Sequence, residues 1–379
     1  MAKRRKKKKI SSLSIALTVI VVIIIVAVFA LDYFGVIDIP FENIFGSSSH
    51  HTERPAVVVE GDLQIHFLEL GNKYTGDCTY IKAGDTDILI DAGSRTSSIS
   101  TITNYVDNYC TDGILEYVIV THAHQDHYAG FAGDSSHESI FLHYECKTII
   151  DFALSNNTES KMYQNYQTQL KNEIKAGATH YTAAEAIKGG HSSFEIADGI
   201  ELKILDSYFY YNTSGDENNY SVCCMINQGD AHYLFTGDLE KEGEEKLVKM
   251  NDLPEVEVYK GGHHGSKTSS TDALLSVIKP RVVCVCCCAG SDEYTKTNEN
   301  MFPTQAFVDR ISKYTDKVYV TTLCVSNETG EFTSMNGNIT VSASKEGIKV
   351  TCSASDTLLK DTDWFKKNRK CPDAWKPGS

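Results

Sequence analysis

The sequence predicts an α/β sandwich carried behind one membrane-spanning helix. Three observations point there. Short apolar runs of strand character fall in two clusters on either side of a long polar section, with segments of helical spacing between them. Residues 10–31 form an uncharged stretch of 22 residues. The composition, 41% hydrophobic, 23% charged and 10% aromatic over 379 residues, is ordinary globular usage with ample core.

The N-terminal elements come first. Residues 3–9, Lys-Arg-Arg-Lys-Lys-Lys-Lys, form a basic cytoplasmic tail. At about 1.5 Å per residue the uncharged stretch 10–31 reaches about 33 Å, enough for a hydrocarbon core of about 30 Å. A cleaved signal peptide has a shorter apolar region, about 7–15 residues, so an uncleaved anchor is expected. Cations precede the span, and Asp32, Asp38 and Glu42 follow it. The positive-inside bias therefore places the N-terminus in the cytoplasm and the body outside. Residues 32–55, which include GSSSHHTERP, read as a linker.

The body begins at Ala56. AVVVE, LQIHFLEL, CTYIKA and DILID read as strands, and Ile99, Ile102, Val106 and Tyr109 recur at helical spacing. LEYVIV is a strand that ends at Thr121-His122. In the polar section 132–198, Met162, Tyr166, Leu170 and Ile174 mark a helix that Gly177 stops. Strand character returns at IELKIL, YSVCCMIN and AHYLFT, then a charged helix, LEKEGEEKLVKM. EVEVYK, a helix over 271–278, RVVCVCCC, a helix after Pro303, KVYVTT and the hairpin GNITVSASKEGIKVTCSAS complete the body. Residues 356–379 carry Trp364, Lys366, Lys367, Arg369, Lys370 and Trp375 and read as a solvated basic, aromatic tail.

Charge narrows the function classes. The whole chain carries 36 basic and 50 acidic residues; without the seven N-terminal cations the balance is −21. Such a body is a poor non-specific polyanion binder, so a nucleic-acid substrate needs a local basic patch or bound cations. The twelve cysteines do not form a disulfide framework. Cys284, Cys286, Cys287 and Cys288 crowd one apolar run and Cys223 and Cys224 another, as small buried strand residues do. No paired Cys-x2-Cys spacing supports a structural zinc ribbon.

The chemistry is concentrated in Thr121-His122-Ala123-His124-Gln125-Asp126-His127. Three imidazoles and a carboxylate lie within six residues, directly after an apolar strand. Imidazole with carboxylate suits zinc, manganese or iron better than calcium or magnesium. His-x-His-x-Asp-His resembles the signature of metallo-β-lactamase-fold hydrolases. ILIDAG (88–93), FTGDLE (235–240) and KGGHHGS (260–266) follow in the matching order. LELGNKYTGDCTYI, NNYSV and KGGHHGSKTSS further resemble the hydrolase domain of the ComEC competence-protein family.

The resemblance implies a four-layer αββα sandwich over residues 56–355 and two divalent ions, zinc first and manganese as the alternative. It implies that His122 and His124 hold the first ion and that Asp126 and His127 hold the second. Asp238 bridges them. One of His263 and His264 completes the second site, with His263 favoured because it leaves the strand first. Asp91 orients a loop or ligand by hydrogen bonding. Two departures stand out. Where many relatives carry a further histidine, this chain has Asn218-Asn219-Tyr220-Ser221, and His191 reads as a surface residue. Phe302-Pro303 stands where His-Pro is common.

The implied reaction is hydrolysis by a hydroxide between two cations about 3.5–4 Å apart. Asp126 and Asp238 are the candidates to orient it, and Lys260, Ser266 and Lys267 the candidates to contact a phosphate. Thr268, Ser269 and Ser270 either assist or cap a helix. The expected activity is that of a membrane-anchored extracytoplasmic phosphodiesterase acting on nucleic acid or a cell-envelope polymer, with no obligate protein partner. The alternatives are a carboxylic-ester or lactone hydrolase and a non-catalytic surface binding module.

Overall fold

The computed structural model describes residues 59–376. The basic tail, the anchor and the linker lie outside the described residues. Among the described residues no helix is long and apolar enough to cross a membrane.

Strands β1 (Leu63–Phe67), β2 (Thr79–Ala83), β3 (Thr86–Ile90), β4 (Ile114–Val120), β5 (Glu145–Asp151) and β6 (Thr179–Thr182) come first in the chain. They are followed by β7 (Ser193–Ala197), β8 (Ile200–Ile204), β9 (Cys224–Gln228), β10 (Ala231–Phe235), β11 (Val258–Lys260) and β12 (Val282–Ala289). The last four are β13 (Val318–Ser326), β14 (Glu331–Ser334), β15 (Ile339–Ser344) and β16 (Gly347–Cys352). They build two 8-stranded sheets, ordered β16-β15-β1-β2-β3-β4-β5-β6 and β14-β13-β12-β11-β10-β9-β8-β7. In each, antiparallel hairpins (β1-β2-β3 and β8-β9-β10) lead into parallel strands (β3-β4-β5-β6 and β10-β11-β12-β13). The matched pattern puts both sets of parallel strand ends, where helical crossovers begin, at places suited to a site.

Period-two alternation sorts the cores. On β12, Cys284 and Cys286 join the cluster between the sheets, while Val283, Val285 and Cys287 join the cluster under the outer helices. Tyr233 and Phe235 against Leu234, and Val258 against Tyr259, divide the same way. The helices over the second sheet are Lys241–Met250, Asp272–Ile278 and Gln305–Ile311. This is a mixed α/β metallo-β-lactamase arrangement of two faced sheets with helices outside. Nine cysteines are buried and all twelve are free thiols.

Helix Lys161–Ala176 starts on Ser160, whose hydroxyl accepts from the Tyr163 amide at 3.1 Å, and stops at Gly177 with φ 121°. Its four-residue stripe does not stay inside. Tyr166 and Leu170 are buried, but Ile174 is 42% exposed and Glu173 turns inward. Three steps of four residues overshoot whole turns by about 120° at 3.6 residues per turn, which carries Ile174 off the core face.

The polar section 132–198 contributes β5 and β6 to one end of the first sheet and β7 to the edge of the second. The stretch from residue 356 on is not a solvated tail. Leu359, Phe365 and Trp375 enter the second core cluster, and the Trp375 indole donates to the Thr315 carbonyl at 2.9 Å. Arg369 stacks on Trp364 at 4.7 Å and donates to the carbonyls of Met301 and Pro303 at 2.6 and 2.9 Å. One guanidinium and two indoles therefore serve packing.

His66 on β1 is buried among Tyr80, Tyr105 and Tyr109, and its Nε2 has no hydrogen-bond partner among the described residues. Burial lowers its pKa to about 4. Protons then bind the unfolded chain more readily, so stability present above pH 6.5 is lost as pH falls toward 4. This histidine's share is up to about 3 kcal/mol. Urea midpoints should fall across that window, and His66→Phe should flatten the slope; an unchanged slope would refute the assignment.

Candidate metal centre

The site forms where three backbone loops are stitched together. The Asp77 amide donates to the Asp126 carbonyl at 2.9 Å, the Gly93 amide to the Asp77 carbonyl at 2.9 Å, and the Ala92 amide to the His127 carbonyl at 2.7 Å. A side chain on Gly93 would place Cβ 1.7 Å from the Asp126 carbonyl oxygen, so only glycine permits this approach.

Asp91, buried and held at φ 58°, is the central tie. Its carboxylate accepts from the Thr121 amide at 2.8 Å, the Thr121 hydroxyl at 2.7 Å and His127 Nδ1 at 2.8 Å. Those contacts assign tautomers. A carboxylate only accepts, so His127 carries a proton on Nδ1. Thr121 Oγ1 gives its proton to Asp91 and faces His122 Nδ1 at 3.1 Å, so His122 donates from Nδ1. His264 Nδ1 donates to the Cys286 carbonyl at 2.9 Å and His263 Nδ1 to Glu240 at 2.7 Å. In each ring Nε2 is left to face the cavity, the arrangement metal-binding histidines adopt.

The cavity-facing atoms converge. His127 Nε2 and His264 Nε2 are 3.3 Å apart and lie 3.0 and 3.2 Å from Asp238 Oδ2. His264 Nε2 is 3.3 Å from Asp126 Oδ2. His122 Nε2 and His124 Nδ1 meet at 3.0 Å. Ligand atoms about 2.0–2.1 Å from a tetrahedral zinc stand about 3.3 Å from each other, so the observed spacings fit an ion in their midst. Asp238 Oδ1 is buried without a hydrogen-bond partner among the described residues, with the Lys260 ammonium 3.7 Å away, so it has room for a closer partner. The donor set suits zinc, manganese or iron.

The charge state agrees. Burial keeps His122 well below the usual imidazole range, hence neutral. Burial pulls the same way on His127, but the carboxylates of Asp238 and Asp91 outweigh it and raise its pKa to about 10. His264 is likewise held well above its ordinary value against burial by Asp238 and Asp77. Burial would raise Asp126 and Asp238, yet the neighbouring imidazoles hold both below the carboxylate range. Protons here neutralise buried carboxylates, and cations bound at the same Nε2 atoms would displace them.

The seven residues expected as ligands fall as follows. His122, His124, Asp126, His127, Asp238 and His264 come together. His263 does not join them as favoured from sequence. Both histidines have left-handed backbone, φ 45° and 55°, and this turn sends His264 inward while His263 lies at the rim, 3.8 Å from Asp238. Asp77 belongs to the cluster but approaches the Nδ1 side of His264 at 3.2 Å, behind the metal face.

Lys260 is not placed for substrate: its ammonium is buried, paired with Asp77 and 3.7 Å from Asp238. Lys267 is exposed, whereas the Ser266 hydroxyl bonds Thr268 at 2.8 Å. Ser269 donates to the Leu239 carbonyl at 2.7 Å, and the Ser270 and Thr271 amides donate to Glu244 at 2.5 and 2.7 Å. That serine-threonine run is committed internally. His191 is exposed against Tyr181 and far from filling the place of a third histidine. Ser221 approaches His122 Nδ1 at 3.4 Å, from behind.

Sequence reasoning missed the roles of Asp77, Glu240 and Tyr294. Tyr294 donates to Asp126 Oδ2 at 2.6 Å from a polar loop whose sequence carries no motif. Asp77 had a signal, the Gly76-Asp77 pair before a strand; a Cβ on Gly76 would meet Ser94 at 2.6 Å.

Residues 71–137 match the model of the metallo-beta-lactamase superfamily. That segment holds Asp77, Asp91 and the His122–His127 motif, and the chain carries a metallo-β-lactamase domain. Its curated relatives narrow the resemblance. ComE operon protein 3 of Bacillus subtilis is 26% identical over 54% of this chain and 23% of its own length. Recombination protein 2 of Haemophilus influenzae is 26% identical over 67% of this chain and 27% of its own. Competence protein ComA of Neisseria gonorrhoeae is 32% identical over 33% of this chain and 17% of its own. The domain is thus similar to the hydrolase-like domain of ComEC-family competence proteins, and the chain spans about a quarter or less of those relatives.

Inward His264 and rim His263 should separate on metal analysis. His264→Ala is expected to lose about one equivalent of zinc, and His263→Ala to keep the wild-type content. The reverse result would restore His263 as the ligand.

Proposed function

We propose that the domain is a binuclear metal-dependent phosphodiesterase. The observation that carries this reading is the convergence of His127 Nε2, His264 Nε2, Asp126 and Asp238 at 3.0–3.3 Å beside the paired nitrogens of His122 and His124. Two bound ions would lower the pKa of a shared water and offset charge developing on the attacked group. The chain's own residues supply the rest. Asp91, Thr121, Cys286 and Glu240 fix the imidazole tautomers. Asp126 and Asp238 orient the nucleophile. Lys260 and Asp77 form a buried ion pair beneath the histidines and hold the Asp238 side of the site.

The substrate class we favour is a nucleic-acid or cell-envelope phosphodiester. Similarity to competence proteins supports the former, and the acidic body is compatible with the latter. An ester or lactone hydrolase on the same centre and a non-catalytic binding module are the competing readings. Zinc-loaded protein should hydrolyse bis(p-nitrophenyl) phosphate, and Asp126→Ala should lower the rate by about 10²–10³-fold or more. Turnover of lactones with no phosphodiester cleavage would replace the reading with the esterase, and full metal content without turnover of either would favour the binding module.

We further propose that residues 10–31 anchor the chain with the body outside the cytoplasm. The uncharged length and the cations before it support this. Protease added to intact cells should digest the body; a protected body would overturn the orientation.

A further inference from the structure

The loop between β12 and helix Gln305–Ile311 touches the centre at one point, the Tyr294 hydroxyl on Asp126. Its base is closed by the Gly290 amide on the Phe302 carbonyl at 2.9 Å and by Asn327 on the Gly290 carbonyl at 2.9 Å. Arg369 braces its far end through Met301 and Pro303. Near the tip, Glu293 pairs with Arg95 at 2.6 Å and accepts from the Thr75 amide at 2.9 Å. The loop is thus tied down from both sheets' loops and from the C-terminal segment.

These ties hold Tyr294 across the mouth. Its ring is 54% exposed and rests on Phe302 with centroids 5.5 Å apart, while Phe302 in turn covers His263 and His264 at 5.7 and 5.8 Å. The hydroxyl end reaches inward to Asp126 Oδ2. His264 approaches that same oxygen from within the fold, and Tyr294 approaches it from the solvent side. A phenol is neutral and protonated at ordinary pH, so it is a lasting donor. If Asp126 held an ion, an oxygen bound beside that ion would lie near Asp126 Oδ2, the atom the hydroxyl already faces.

We propose that Tyr294 is a substrate-contacting residue whose hydroxyl donates a hydrogen bond to a phosphoryl oxygen bound at the metal centre, which makes this loop the wall that recognises the phosphoryl group. The inference rests on the phosphodiesterase reading. The hydroxyl has one proton, so it would swing from Asp126 Oδ2 to the phosphoryl oxygen, and that bond would strengthen as negative charge builds there. No imidazole is required at Phe302, since the hydroxyl enters from the adjacent loop position.

The test uses the full chain loaded with zinc, and inorganic phosphate as probe. Tyr294→Phe removes one oxygen from a half-exposed ring, so zinc content and thermal midpoint should match the unsubstituted protein. Its dissociation constant for phosphate should rise about tenfold, and kcat/KM on bis(p-nitrophenyl) phosphate should fall about ten- to a hundredfold. Phosphate affinity within twofold of the unsubstituted protein, or loss of zinc from the variant, overturns the inference. So does absence of any phosphate binding by the unsubstituted protein. If that protein binds phosphate but cleaves no phosphodiester, the phosphodiesterase reading falls, and the phosphate comparison still decides the part played by Tyr294.

Discussion

One buried carboxylate organises the centre. Asp91 ends β3 in a left-handed conformation and spends its oxygens on the end of β4 and on the ring of His127. A carboxylate buried this deeply requires donors, because an unpaired one would be costly. The donors it has taken are those that decide which way the metal-facing histidines point. Through Thr121 the same group reaches His122, so His122 and His127 inherit their tautomer from one residue. Backbone bonds among residues 77, 92, 93, 126 and 127 then tie the loops that carry these rings to one another.

The second constraint is charge. Asp77, Asp126 and Asp238 share a water-poor space with four inward imidazoles and the Lys260 ammonium. Within the fold the positive charge on His127 and His264 is what makes the carboxylates tolerable, since the attraction of close opposite charges is strong where water is excluded. His127, His264, Asp126 and Asp238 would hold a divalent ion that offset the same carboxylate charge in place of those protons. The rest of the body is strongly acidic, so its net charge does not attract an anionic substrate and bound ions would supply positive charge at this cavity. The Tyr294 phenol adds a donor there without adding charge.

How much of this was legible follows from how local each signal is. His122, His124, Asp126 and His127 sit within six residues after an apolar strand, and no tertiary information was needed to find them. Asp238 was legible through FTGDLE standing in the family's order; it lies three residues beyond the end of β10. Choosing between His263 and His264 was not, because the choice is made by two consecutive left-handed residues that chain order does not announce. Lys260 reads as a phosphate contact in sequence, yet Asp77, distant in the chain, claims its charge. β6, β7 and β14 escaped notice because edge strands keep polar residues where central strands carry unbroken apolar runs, and β5, one place in from the edge, opens on the polar Glu145-Cys146-Lys147. The four-residue stripe on helix Lys161–Ala176 misled at Ile174 for a reason of pure geometry.

The parts that escaped the sequence are also the parts that distinguish this centre from a bare metal cluster. The matched halves of the sandwich place Asp91 and the first motif at the ends of β3 and β4, and Asp238 and His264 after β10 and β11, so the ions' surroundings are set by the sheets. What meets a substrate is set by connections outside those strands. The Tyr294 loop is held by Arg95 and Thr75 from the first half, and by Asn327 and Arg369 from the second half and the C-terminal segment. Each tie is a hydrogen bond between residues far apart in the chain, and none leaves a periodic mark. A rigid sheet end for the ions and a braced, motif-free loop for the substrate divide the work as catalytic scaffolds commonly do: chemistry on the frame, selection on the loop. Arg369 gains its role from that division, since by stacking on Trp364 and gripping Met301 and Pro303 it converts an apparent basic tail into the outer support of the Tyr294 loop.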